Sequence, residues 1–476
     1  MKTRAASREL TRHLCAAVHL DSRLAAAVIK WVVEDRHRAL APVEGVDLVV
    51  VARHALAAHQ RRAVRDVVLA ATFVGILPFL FAFPSATSAL LFLLFFVAWI
   101  VVLIEGAFTR SKILIRDLSS RYFDPEAAPE PSNPRLAECL VRVTAKQSEN
   151  VIVYSGYSPF IGGGGVLDGW SVSVDTTKSV AREVGSTPDP FTVQELHSAV
   201  MVGLAKLQWV ELKATERIFV SGLDVHDDRR FLADPSGFPK GHADPELVQR
   251  LLGTPEDTAR HYTCIHISGW RGDLTATMYL RLAKYPENLF VEATWSILAP
   301  LKPLYQTVDS LPDEPLFDMI RKRIAPQALA ATPWLLLRSI LIVLAMITSP
   351  LRRAKQEKLE DKAIEDQLGF DYGAVRSVRE MAADDKYHRY FQRLDKEMFV
   401  KTVQDRVLTT VINFLDVRGI DTSSLSEQKT TILNNGIMLS GQASLQAGSV
   451  AAGEHSKAST LIRRGAPSSA AATSES

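Results

Sequence analysis

Cysteine is scarce and scattered. Cys15, Cys139 and Cys264 make an odd count, lie far apart and form no Cys-x-x-Cys pair. That excludes a disulfide framework and points to reduced, cytosolic thiols. A charge surplus is also missing. A net charge of +2 over 476 residues argues against a nucleic-acid-binding protein, which carries a basic excess on one domain. Catalytic signatures are missing too. No pair of acids, no Ser/His/Asp order and no nucleophile elbow stands out. His261, His266, Asp273 and Glu292 could meet across a meander, but ordinary cross-strand polarity explains them equally well. His13, His19, His37, His54 and His59 fall at no ligand spacing and read as packed or helix-surface histidines. The sequence therefore names no catalytic residue, no metal and no cofactor, and its balance is toward a protein that is not an enzyme.

The most informative absence is of charge between Val67 and Ile104. As one helix this run would be about 57 Å long at ~1.5 Å per residue, roughly twice the ~30 Å hydrocarbon core of a bilayer. Phe83-Pro84-Ser85-Ala86-Thr87 sits where a turn belongs. The expectation is a transmembrane hairpin, Val67–Phe83 and Thr87–Ile104, with the lipid bilayer as partner. Arg61, Arg62 and Arg65 precede it, Arg110, Lys112 and Arg116 follow it, and the turn holds no Lys or Arg. The positive-inside rule then places both ends on the cytoplasmic face of a plasma-membrane protein, with the N-terminus and residues 108–333 cytoplasmic. The only hydroxyl side chains in the run are Thr72, Ser85, Thr87 and Ser88, too few for a polar pore. A second apolar run, Trp334 through Ile347 to Pro350, holds Arg338 and has basic clusters at both ends. It reads either as an interfacial or re-entrant helix or as a third pass.

The remainder reads as an α+β membrane protein. A cytosolic helical unit (1–65) precedes the hairpin (66–107), and a helix with a proline-rich linker follows (108–134). A cytosolic α+β domain (135–312) comes next, then the membrane-associated apolar helix (313–354) and charged, amphipathic helices (355–420). A β-prone and then disordered tail (421–476) closes the chain. In the α+β domain, Thr192-Val193-Gln194-Glu195 has the form of a capping box. Alternation over Leu274–Leu282 and Leu289–Ile297, across a turn at Tyr285–Asn288, predicts an antiparallel meander with one buried face. Tyr387, Phe391, Leu394, Met398, Phe399, Val403, Val407, Val411 and Phe414 predict a long amphipathic helix, packed on its own domain or forming an oligomer seam.

Two stretches are candidate sites. Ser155 with Gly162, Gly163, Gly164 and Gly165 follows a short strand, where glycine amides can cradle a phosphate or another small-molecule ligand of unknown identity. No Gly-Lys-Ser/Thr follows and no G-x-G-x-x-G fits, so a closely packed or partner-facing loop is the competing reading. Asn434, Asn435, Gly436, Ser440 and Gly441 lie in an uncharged, β-prone stretch from Thr430, a candidate assembly motif for a homo-oligomer. Leu14-Cys15-Ala16-Ala17, Val151 to Gly165 with Trp170, and Gly419–Ser423 resemble stretches of uncharacterised actinobacterial membrane proteins. The Asn-Asn-Gly…Ser-Gly tail is similar to prion-like signalling motifs. The first resemblance implies a class without an activity. Three functions stay open: a membrane-anchored sensor or scaffold that self-associates, a membrane-disrupting or channel-forming effector triggered by tail assembly, and a membrane-bound enzyme or ligand-binding protein using the glycine loop.

Overall fold

The computed structural model describes residues 2–131, 133–147, 149–179, 188–311, 315–366 and 369–435. The N-terminal third is helical: α1 (Lys2–Leu20), α2 (Ser22–Val28, carried on through a wider turn to Glu34) and α3 (Leu48–Ala82). Asp21 caps α2, accepting from the amides of Arg23 and Leu24, and Asp47 caps α3, accepting from those of Val49 and Val50. Each satisfies amides that would otherwise be orphaned in the first turn. α3 is unbroken, so the helix that starts in the N-terminal unit carries on through the first apolar segment. A short 3-10 turn (Pro84–Ala86) leads to α4 (Thr87–Phe108). α5 (Pro134–Ala145) follows the linker.

The helical unit is less autonomous than the sequence suggests. Leu14, Cys15, Val28 and Val51 share one core with Leu114, Leu118 and Phe123 from beyond α4. Tyr305, Val308, Val378 and Ala382, from the far end of the chain, complete it. No local periodicity could announce these long-range partners.

The sheet contains β1 (Val151–Tyr154), β2 (Gly165–Asp175), β3 (Leu212–Ser221), β4 (Ala259–Gly269), β5 (Leu274–Lys284) and β6 (Asn288–Leu298). It is curled, in the order β1-β3-β4-β5-β6-β2. Only β1 and β3 pair in parallel. The predicted meander is present, with Ile265 opposite Met278 and Met278 opposite Trp295, but both of its faces are buried and not one: Thr275, Thr277 and Tyr279 are covered as Leu274, Ala276 and Met278 are. One face is covered by α6 (Val193–Ala205) and by α12 (Tyr390–Val417). The Thr192–Glu195 capping box is made on both sides. On α12, Val403, Val407 and Val411 are fully buried against the sheet, whereas Phe391 and Met398 are 64% and 48% exposed. The predicted stripe therefore splits: its second half is core and its first half faces outward. The other sheet face carries an aromatic cluster of Phe160, Phe219, Tyr262 and Tyr279 around Cys264.

Smaller helices complete the chain: α7 (Pro245–Gly253), α8 (Pro303–Gln306), α9 (Leu316–Met319) and α11 (Val378–Met381). Between α9 and α11 runs α10 (Ala325–Glu365), the longest helix. It starts against α4, where Trp99 Nε1 donates to the Ala325 carbonyl at 3.4 Å. Ala328 and Leu336 pack with Leu69, Leu94, Ala98 and Val102. The segment Thr430–Asn435, expected to be β-prone, instead closes a helix, α13 (Ser423–Asn435). Leu425 buried in the sheet core, with Ile432 packed against it, favours the helix there. Gly436, Ser440 and Gly441 lie outside the described residues.

Candidate functional site

The glycine loop is held from a distance. β1 ends at Tyr154, the loop turns through Phe160–Gly164, and β2 begins at Gly165. Gly162 and Gly164 adopt φ of +87° and +89°, the left-handed region that glycine occupies without penalty. Their amides converge as an anion-binding nest would, and a carboxyl group of the protein already occupies it. The N–H groups of Gly162 and Gly164 both donate to Glu380 Oε1, at 2.8 and 2.9 Å. Burial pushes the Glu380 carboxyl above its usual range, against the two amide bonds that favour its charged form. A Cβ on Gly163 would lie 2.3 Å from Tyr279 Oη, and one on Gly164 would lie 2.2 Å from the Ile297 carbonyl oxygen. Ser155 Oγ donates to Asp371 Oδ2 at 2.6 Å. Among Gly162–Gly165, Gly165 has open space on its Cβ side, whereas Gly162 meets the Pro42 carbonyl. The structure thus brings Ser155 and Gly162–Gly165 together, but the Ser155 hydroxyl and the amides of Gly162 and Gly164 meet side chains from 371–380, and the Gly163 amide donates to the Phe160 carbonyl. Nothing in the local sequence could have named Asp371 or Glu380, more than two hundred residues away.

A second site escaped the sequence reading. A groove of about 1150 Å³ opens where α1, the start of β3, the end of β4 and α12 meet. Trp209, Trp270, Met398 and Phe399 give it an apolar wall, and Glu44, Glu211, Lys213 and His266 give it polar points. Among the described residues, the non-glycine positions in the left-handed region are Gln208, Trp270 and Arg271, at φ of 53°, 55° and 61°. Two of them line this groove and the third adjoins Trp209. Backbone held in sparsely populated conformations concentrates at functional sites. Trp270 is further fixed by donating from Nε1 to Asp395 Oδ2 at 2.9 Å. His266 sits at the buried edge, its Nδ1 2.9 Å from Thr277 Oγ1. Burial, with Arg217 and Lys213 nearby, lowers its pKa to about 3, so it is neutral. An apolar wall with a few convergent polar groups is the make-up of a small-molecule site.

Glu9, His13 and Asp309 lie close enough to hold a cation between them. That place is filled internally, because the Arg12 guanidinium bridges Glu9 and Asp309.

Comparison with protein families matches the AbeC-like domain over residues 169–450. The chain belongs to this AbeC-like family. The matched region starts inside β2 and takes in β3–β6, α6, α10 and α12, while the hairpin, β1 and the glycine loop precede it. The tryptophan groove draws most of its wall from the AbeC-like region, and Glu380 belongs to it as well. No curated protein and no solved structure matches the chain. The family match assigns no activity, and it bears neither on an actinobacterial origin nor on a prion-like tail.

Proposed function

We propose that this AbeC-like protein is a multi-pass membrane protein of the plasma membrane, anchored by the α3–α4 hairpin, whose cytosol-facing domain senses or scaffolds without catalysing. The observation that carries the reading is an inverted surface. α4 with its extension to Asp117, and the helix from Leu316 to Glu365, are each long and apolar enough to cross a membrane, and only 17% of the most apolar window of each is buried. A core helix of a soluble protein would be mostly buried. Instead Val74, Leu77, Phe79, Phe92, Phe96 and Ile104 are 41–71% exposed. At about 25 cal/mol per Å² of apolar surface, leaving such a belt in water costs many kcal/mol, which a hydrocarbon phase removes. The cations at the hairpin base support a cytoplasmic placement of both its ends. Alkaline carbonate extraction tests the anchor. The full chain is expected to stay in the membrane pellet and to need detergent for release. Release by carbonate alone would refute the anchor.

The sensing element in this reading is the tryptophan groove, because the left-handed residues cluster there. Its ligand would be a small aromatic or amphipathic molecule, stacked between indole and phenyl rings. A thermal-shift screen of aromatic acids and short amphiphiles, repeated on Trp270→Ala, tests this. A stabilising compound is expected to lose its effect in the variant.

A further inference from the structure

We infer that α10 does not cross the membrane but lies in its cytoplasmic interface, its outer face a docking surface for lipid. This rests on the proposed hairpin anchor. The chain approaches α10 from Val308 and Leu311, which belong to the N-terminal helical core. It leaves α10 at Ile364, which is buried with Val151, Val153, Ile218 and Val220 of β1 and β3. The two cores are parts of one folded body: the Arg217 side chain in β3 pairs with Glu44, and Leu301 bridges to Ala383. One unbroken helix that starts and ends on the same body passes through a bilayer zero times.

The C-terminal half of α10 is tied down along its length. Arg353 meets Glu34 at 2.7 Å, Glu357 meets Arg36 at 3.4 Å, Glu360 meets Arg38 at 3.4 Å and Asp361 meets His37 at 3.1 Å. Its start is fixed where Ile324 approaches Gly106. From Ala325 to Arg353 is about 42 Å at ~1.5 Å per residue. A rod of that length, with its start packed across the base of the hairpin and its end on the soluble body, runs along the membrane surface.

The face it presents fits that surface. Trp334, Leu337, Leu341, Leu344, Ile347 and Leu351 recur at intervals of three and four, each 55–75% exposed. Thr332 and Ser339 point inward and are fully buried, their hydroxyls bonded to the helix's own carbonyls. A soluble helix shows the reverse arrangement. Arg338 on the outward side reaches headgroups by snorkelling. Exposed Arg321 and Lys322 before the stripe, and Arg352 and Lys355 after it, match anionic headgroup phosphates.

The test uses the full chain with Cys139→Ser, which leaves Cys15 and Cys264 buried. Single cysteines at Ser310, Lys358 and Ser85 are challenged with a membrane-impermeant thiol reagent in sealed vesicles of either orientation. Ser310→Cys and Lys358→Cys are expected to label from the same side, and Ser85→Cys from the other. Labelling of 310 and 358 from opposite sides overturns the in-plane helix. Labelling of 85 together with 310 instead overturns the hairpin anchor. Spin labels at Leu337, Leu344 and Leu351, in vesicles of mixed zwitterionic and anionic phospholipid, are expected at equal shallow depth. A depth maximum in mid-helix overturns the proposal, as does shielding of all three labels from lipid-soluble quenchers, which would mean a second protein copy covers the face.

Discussion

Replacing Glu380 by alanine should unlatch the glycine loop. Two amides donate to one carboxylate oxygen, at 2.8 and 2.9 Å. Hydrogen bonds to a charged acceptor contribute about 1.5–3 kcal/mol each. Glu380 is half-buried, so water can replace part of what is lost, and a net cost of about 2–4 kcal/mol is expected. For a domain of 150–250 residues each kcal/mol moves Tm by about 2–4 °C, which places the fall at roughly 5–15 °C. Tryptophan fluorescence during heating, in a fixed detergent, reads this directly. Glu380→Gln is the control: its side-chain oxygen accepts both amides and carries no charge to desolvate, so it should melt close to the wild type. It should also remove a pH dependence. The raised Glu380 pKa means the folded state favours the protonated form, so its contribution is greatest in acid and declines as pH rises through the carboxylate range. If alanine leaves Tm within about 1 °C of wild type, or glutamine falls as far as alanine, the latch does not hold the loop.

Gly164→Ala should destabilise strongly, because φ of +89° and a Cβ placed 2.2 Å from the Ile297 carbonyl oxygen both oppose it, whereas Gly165→Ala, with open space, should be near neutral by thermal melting. His261 and His266 are each held by burial at a pKa of about 3. The unfolded chain takes up their protons near pH 6.5, so stability is full above that pH and declines as pH falls toward about 3; denaturant titration across that window checks it, and His261→Gln should flatten the curve. Val407→Ala, at a fully buried position on α12, should cost about 2 kcal/mol in the same assay, while Phe391→Ala, 64% exposed on the same helix, should stay within about 0.5 kcal/mol.

Much of the fold was legible because it is written in local periodicity. The alternation of Leu274–Leu282 and Leu289–Ile297 became β5 and β6, paired in register. The Thr192 box opened α6, and Asp21 and Asp47 began their helices where short-range capping requires. What stayed hidden depends on residues that meet only after folding. The glycines stand out in the sequence, but Glu380, which reaches the amides of Gly162 and Gly164, carries no local mark. The tryptophan groove gathers residues from six separate segments, and its left-handed backbone at Trp270 and Arg271 contradicts the preference of both side chains. The Thr430 segment shows the opposite failure. Its β-prone composition is real, yet packing of Leu425 and Ile432 against the sheet core makes a helix of it, since tertiary burial outweighs a propensity scale spanning about 1 kcal/mol.

The same contest decides how α10 lies. The four ion pairs along Glu34–Arg38 are mostly surface pairs, each contributing about 0–1 kcal/mol, and could not alone restrain a helix drawn into lipid. The restraint is in what would have to follow. For α10 to span, the charged stretch from Arg352 to Lys362 would pass to the far side, Ile364 would leave its buried place beside β1, and Tyr372 and Ala374 would lose their backbone bonds to Gly222 and Val153. Arg338 in mid-helix adds an insertion cost of about 2.5–3.5 kcal/mol at the bilayer centre. In the interface, by contrast, every leucine of the outward stripe can reach acyl chain while Arg338 keeps its water. The arrangement that satisfies the stripe without dismantling the sheet edge is the one parallel to the surface.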